Sequence, residues 1–194
     1  VCTGRGQGNT DISNAAYEEA LKMLYEQQMK YKGRLMINSK CAPQYKRVVY
    51  ENDPESVYTR TYSGGCPAAT HYSRISPEGN LTPCPFIEES VGNLKTRTFK
   101  DLWDNAPLMK QLRDRKGLEG KCGTCEFSAM CSGCRARAFA ETRNYMAPDP
   151  SCDYEPGKYG GKAITLKIED TLGLEVEFQT RWTPEAKLFN RLVL

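Results

Sequence analysis

Four of the chain's nine cysteines, Cys122, Cys125, Cys131 and Cys134, fall within thirteen residues of the stretch KCGTCEFSAMCSGCRARAFA. A buried structural cysteine has no reason to recur at two-residue spacings, so thiols packed this densely are expected to be metal ligands. Paired C-x2-C knuckles also make zinc ribbons, but there the pairs are set about 15–20 residues apart. Here only the five residues EFSAM separate them. Iron–sulfur sites take thiolates from tighter runs, and one cysteine of such a run can serve a different cluster from its neighbours. The spacing therefore favours iron–sulfur over zinc, and both over disulfides.

The remaining composition narrows the setting. The chain has 194 residues and a formal charge of +3, with no basic run of five or more, so nucleic acid is not implied. An anionic small substrate fits this charge. With neither a signal peptide nor an apolar run long enough to span a bilayer, the cysteines are expected to be thiolates bound to metal in a reducing cytoplasm. The ends, VCTGRG and FNRLVL, carry no initiator Met and no terminal cap, as expected of a piece of a longer protein.

In chain order, VCTGRGQGNTDIS reads as a strand exit, and Ser13 as the cap of a helix through Tyr17, Leu21, Leu24, Gln28 and Tyr31 that stops at Gly33. RLMIN reads as a short buried strand delivering Cys41, giving the strand–helix–strand order of a parallel α/β barrel. PQYKRVVY reads as a short helix, and ENDPES as a domain break. HYSRIS and LTPCPF are expected to pair as a hairpin around PEGN, bringing Cys66 and Cys84 together. Helices follow from Thr98, with Phe99, Leu102 and Trp103 inward, from Pro107, with Leu108, Met109 and Leu112 as core, and over CRARAFAETR. Cys152 sits in APDPSCDYEP, a loop able to fold back as a ligand. GKYGG reads as a linker, AITLKIEDTLGLEVEFQT as a second hairpin, and RWTPEA as a helix start at Thr183.

Cys66, Gly79 and Cys84, then Cys122-x2-Cys125-x5-Cys131-x2-Cys134, then Cys152, resemble the seven-cysteine SPASM domain at the C-terminus of many radical SAM enzymes. The one departure is the last pair, which more commonly encloses three residues and here encloses Ser132 and Gly133. The segments TGRG, NSKCAPQYKR, GGCPAATHY and CEFSAMCSGCRARA are similar to the radical SAM enzymes that trim tetrapyrrole side chains in haem biosynthesis. RWTPEA resembles a small C-terminal domain shared with a protochlorophyllide-reductase subunit.

The resemblance implies an α+β chain: the end of a radical SAM α/β partial barrel (1–52), a SPASM domain of hairpin, short helices and cluster-binding loops (60–156), and a partial C-terminal extension (157–194). It implies two auxiliary 4Fe-4S clusters, one on Cys66, Cys84 and Cys134 and the other on Cys122, Cys125, Cys131 and Cys152. Cys41 is the candidate fourth ligand of the first, with an open iron site or a water as alternative. Cys2 reads as a strand-end residue or as part of a neighbouring active site. S-adenosylmethionine and a third cluster would belong to the full-length protein only, because the C-x3-C-x2-C run that binds that cluster is absent here. The chain alone is therefore expected to be inactive. A small-molecule substrate, in this reading a tetrapyrrole, and an electron-donor protein are the implied partners. Peptide maturation is the alternative chemistry, and a zinc-stabilised binding module the alternative class. Arg5, Arg47, His71 and Arg74 are candidate substrate contacts, since a guanidinium fork suits propionate carboxylates. Arg135 and Arg137 share that chemistry, but on a helix they read first as a solvated face.

Overall fold

The computed structural model describes residues 12–37, 39–56, 59, 65–160 and 164, and the backbone of 167–169 and 175–177. Helix α1 (Asn14–Lys30) begins where Ser13 accepts a hydrogen bond from the Ala16 amide, and it buries Leu21. Helix α2 (Tyr45–Asn52) packs on it through Tyr45, Val48 and Val49, with Tyr17, Leu24 and Tyr25 around them. Between the two helices the expected strand RLMIN does not form. Leu35 and Met36 are 60 % and 92 % exposed, and residues 35–37 pair with no strand among the described residues. An apolar run without a neighbouring edge has nothing to satisfy its backbone as a strand. Cys2 and Arg5 lie outside the described residues, as does the helix expected at Thr183.

The hairpin is present and gains a third strand. Strand β1 (Arg74–Ile75) pairs antiparallel with β2 (Asn80–Thr82), Arg74 opposite Thr82, across a turn in which Gly79 takes φ +92°. Strand β3 (Gly92–Asn93) adds to the other edge of β2, with Leu81 opposite Gly92. Helix α3 (Phe99–Asn105) is capped by Thr98, whose hydroxyl accepts from the Asp101 amide. It buries Leu102, but Phe99 is 45 % exposed and stacks on Trp103 instead of entering the core. A helix this short has only one buried face, and Leu102 fills it. Helix α4 (Pro107–Arg113) buries Leu108, Met109 and Leu112 as expected.

A short 3-10 turn (Arg115–Gly117) then leads to α5 (Gly120–Thr124), and α6 (Arg135–Thr142) closes the cysteine stretch. Strands β4 (Lys167–Glu169) and β5 (Glu175–Glu177) form the second antiparallel pair. The architecture is α+β. One apolar core runs from Leu81 and Ile87 through Leu102, Met109 and Leu112 to Leu118, and Cys66, Cys84, Cys122 and Cys134 are part of its wall. No helix among the described residues is long and apolar enough to cross a membrane.

Candidate metal centre

Cys122 projects from α5, Cys125 follows that helix directly, and Cys131 ends the next loop. The loop after α6 returns Cys152 to them, held by Lys121, whose ammonium donates to the Cys152 carbonyl at 2.5 Å and pairs with Glu155 at 3.2 Å. These four cysteines line one partly open pocket. Phe127 and Tyr154 line it too, and Phe127 meets the rings of Tyr50, Tyr154 and Tyr159 edge-on at 5.3–5.6 Å. Between Cys125 and Phe127 in the chain, the buried Glu126 carboxylate accepts from the Gly157 and Tyr159 amides at 2.8 and 3.0 Å and from the Tyr154 hydroxyl at 3.2 Å.

The other three cysteines form a second group, with Cys134 at the end of the Cys131–Cys134 turn. The Cys66 and Cys134 thiols hydrogen-bond to each other, and Cys84 lies in electrostatic reach of both. Cys84 sulfur also receives the Phe86 amide at 3.4 Å and stands 3.5 Å from the Tyr72 hydroxyl. Cys41 is exposed, with φ +56°, and is close enough to influence both Cys84 and Tyr72. Burial pushes the Cys125 thiol up to about 11 and raises those of Cys131, Cys84 and Cys152 above their usual value. Uncharged sulfurs of this kind give up their protons to a bound metal, which deprotonates the thiols it coordinates.

The turn that parts the two groups depends on backbone that side chains resist. Ser132 and Gly133 both take left-handed φ, +53° and +61°. Two such residues in succession reverse the chain between Cys131 and Cys134, while the Ser132 hydroxyl accepts from the Cys66 amide at 3.3 Å. A Cβ on Gly133 would come within 2.6 Å of the Arg135 guanidinium, 2.8 Å of Asp149 Cβ and 3.3 Å of Cys122 sulfur. Replacing Gly133 with alanine is therefore expected to destabilise the fold by about 1–2 kcal/mol from left-handed strain alone, more with the clash, and to lower metal content. Denaturant unfolding with metal analysis of the same samples checks this.

A buried polar joint lies against the turn, and it corrects the expectation for α6. Arg135 and Arg137 are not a solvated face; they are 2 % and 9 % exposed. Arg137 clamps Asp149 two-pronged, Nε to Oδ1 at 3.0 Å and Nη2 to Oδ2 at 2.9 Å. Asp149 Oδ2 also accepts from the Cys134 amide at 2.6 Å and from Gln44 at 2.7 Å, and Oδ1 accepts from the Ser151 amide at 3.1 Å. Burial works to raise the Asp149 carboxyl, but Arg137 and these amides outweigh it and hold it below the usual carboxylate range. Arg137 further donates to the Cys41 carbonyl at 3.3 Å and lies over the Tyr17 ring at 5.1 Å. Arg135 donates to the Tyr145 and Ala147 carbonyls, both at 2.8 Å, and its Nη2 stands 3.9 Å from Cys122 sulfur.

Of the candidate substrate contacts, Arg47, His71 and Arg74 lie among the described residues. Arg47 is buried, bonded to the carboxylates of Glu18 and Glu51 and lying over the Tyr154 ring at 5.1 Å. His71 is exposed, with Nδ1 2.9 Å from the Thr70 hydroxyl, and Arg74 is exposed on β1. Asp149, Gln44 and Glu126 were not anticipated; nothing in their local sequence separates them from ordinary loop or helix-end residues.

Residues 66–126 match SPASM, described as an iron-sulfur cluster-binding domain. This is a SPASM domain. The SPASM match takes in Cys66, Cys84, Cys122 and Cys125, and the loops after it supply Cys131, Cys134 and Cys152 to the same two groups. The chain is 37 % identical over 166 residues to an AdoMet-dependent heme synthase of Methanosarcina barkeri, across 81 % of its own length and 47 % of that protein's. It is 36 % identical over 92 residues to the mycofactocin maturase MftC of Mycobacterium ulcerans (45 % of this chain, 25 % of the relative). It is 34 % identical over 93 residues to the pre-heme d1 synthase of Dinoroseobacter shibae (46 % and 23 %). The chain thus spans less than half the length of these relatives. It carries a SPASM match and is similar to these enzymes over part of their length.

Proposed function

We propose that this chain is the auxiliary-cluster portion of a radical SAM enzyme acting on a tetrapyrrole, and that it holds two 4Fe-4S groups. Cys122, Cys125, Cys131 and Cys152 would hold one, and Cys66, Cys84 and Cys134, with Cys41 as the candidate fourth ligand, the other. The observation that carries this reading is the parting of the thiols at the Cys131–Cys134 turn, four around one cavity and three beyond it. A single zinc ion would draw its donors to about 2.0–2.3 Å from one point. Four thiols spread around one shared space suit a polynuclear group. When bound, such groups supply one-electron redox capacity, tuned by hydrogen bonds to sulfur and by burial. The residues here supply both, through the Phe86 and Gly133 amides, the Tyr72 hydroxyl and the aromatic wall at Phe127.

The tetrapyrrole is favoured over a peptide by the extent of likeness. The match to the heme synthase runs over 166 residues and that to MftC over 92, so what is shared with the maturase covers about half as much of the chain. In this reading residues 1–52 close a radical SAM barrel, 60–156 are the cluster domain and 157–194 begin a further extension. S-adenosylmethionine and a third cluster would bind elsewhere in the full-length protein, and an electron-donor protein would reduce the clusters. Arg5, Arg74 and His71 remain the candidates for substrate carboxylates.

Anaerobic reconstitution followed by metal analysis and EPR tests the metal assignment. About eight irons per chain, four to each group, are expected; stoichiometric zinc in a colourless protein would overturn it. Titration of iron-coproporphyrin into the reconstituted protein is expected to shift the Soret band, and an unmoved band would favour a peptide substrate.

A further inference from the structure

The two arginines of α6 are buried alike but compensated differently. Arg137 is neutralised by the two-pronged Asp149 carboxylate. Arg135 has no carboxylate partner among the described residues: its donors meet the carbonyls of Gly133, Tyr145 and Ala147, at 3.5, 2.8 and 2.8 Å, and the sulfur of Cys122 at 3.9 Å. The carbonyls satisfy its hydrogen bonds but bring no counter-charge of their own. Taking a lone cation out of water is costly unless a counter-charge lies near. The one atom among these partners able to become an anion is Cys122 sulfur, and as a metal-bound thiolate it does so.

We propose that Arg135 is a positioning charge for the metal group on Cys122, Cys125, Cys131 and Cys152, raising the reduction potential of that group well above its value without the arginine. This inference rests on the two-cluster reading given above. The sign follows from electrostatics: reduction adds negative charge beside a fixed cation, so the cation favours the reduced form. The group on Cys66, Cys84 and Cys134 feels the effect less, because the guanidinium whose charge acts on Cys134, that of Arg137, is paired with the Asp149 carboxylate.

EPR-monitored redox titration of the anaerobically reconstituted full chain, with iron counted in the same samples, tests the proposal. In Arg135→Gln the ratio of reduced to oxidised metal at the Cys122 group, read at a fixed potential, is expected to fall about tenfold, equivalent to 59 mV for a one-electron couple. Arg135→Lys, which keeps the charge, should recover most of that loss, and the other group should move much less in both variants. If Arg135→Gln fails to load the Cys122 group while Arg135→Lys loads it, the charge is required and the proposal stands. An unmoved potential in a fully loaded Arg135→Gln protein overturns it. So does an equal or larger shift at the Cys66 group, or equal loss of the Cys122 group in both variants, which would reduce Arg135 to a brace for the carbonyls. A wild-type chain that takes up only one cluster would instead fail the two-cluster reading itself.

Discussion

Replacing Cys152 with alanine is expected to halve the iron content of the reconstituted protein and leave one EPR signal with its line shape intact. Cys152 reaches the cavity of Cys122, Cys125 and Cys131 from a separate loop, and its removal leaves Cys66, Cys84 and Cys134 untouched. Lys121 and the Asp149 carbonyl hold the loop by its backbone, so the mutation takes away a ligand without unfolding its carrier. Loss of both signals to the same degree would contradict the partition. The matching replacement of Cys84 should remove the other signal, so the two variants together assign each spectrum to its thiols.

The largest stability effect is expected from Asp149→Ala. The carboxylate is fully buried and accepts five hydrogen bonds, two from Arg137 and one each from Gln44, Ser151 and the Cys134 amide. Its removal strands the Arg137 charge in the interior, and breaking one partner out of a buried pair costs about 3–5 kcal/mol. In the two-group reading the loss should also spread to both metal groups, since Cys134 is a proposed ligand of one and Cys152 of the other. Chemical denaturation and iron analysis of the same variant check the two halves of this expectation. A variant that keeps its full stability would show the joint to be incidental. Asp149→Asn keeps the shape but loses the charge, and it should fall between the two.

The candidate ligands were far more legible in the sequence than the residues that hold them. Thiol spacing is a local signal, and Cys122, Cys125, Cys131 and Cys134 announce themselves within thirteen residues. Capping is local too: Ser13 and Thr98 sit where their helices begin, and Pro107 opens α4. The hairpin was readable from its turn, but β3 was not, because Gly92 and Asn93 have no strand character apart from their pairing with β2. RLMIN failed for the opposite reason, an apolar run with no described partner strand to make it one. RARAFAET looks like an ordinary polar helix, because no periodicity can reveal that Arg137 has a carboxylate twelve residues downstream. Asp149 sits among prolines in a stretch that reads as a loose loop, yet it is the most heavily bonded acid described here. Long-range charge compensation leaves no mark on local pattern, and the candidate site is built on it.

The two left-handed residues between Cys131 and Cys134 also limit how far apart two metal groups held on either side of them could sit. Three peptide steps span at most about 11 Å between the cysteine Cα atoms, and only side-chain reach and the groups themselves would add to that. Even at about 20 Å, and at the effective dielectric of a protein, one electronic charge changes the energy of another by roughly 0.8 kcal/mol. With both groups loaded, an electron on one would make the second several-fold harder to add. The short turn would make the pair a graded acceptor, filled in order, in place of two independent stores.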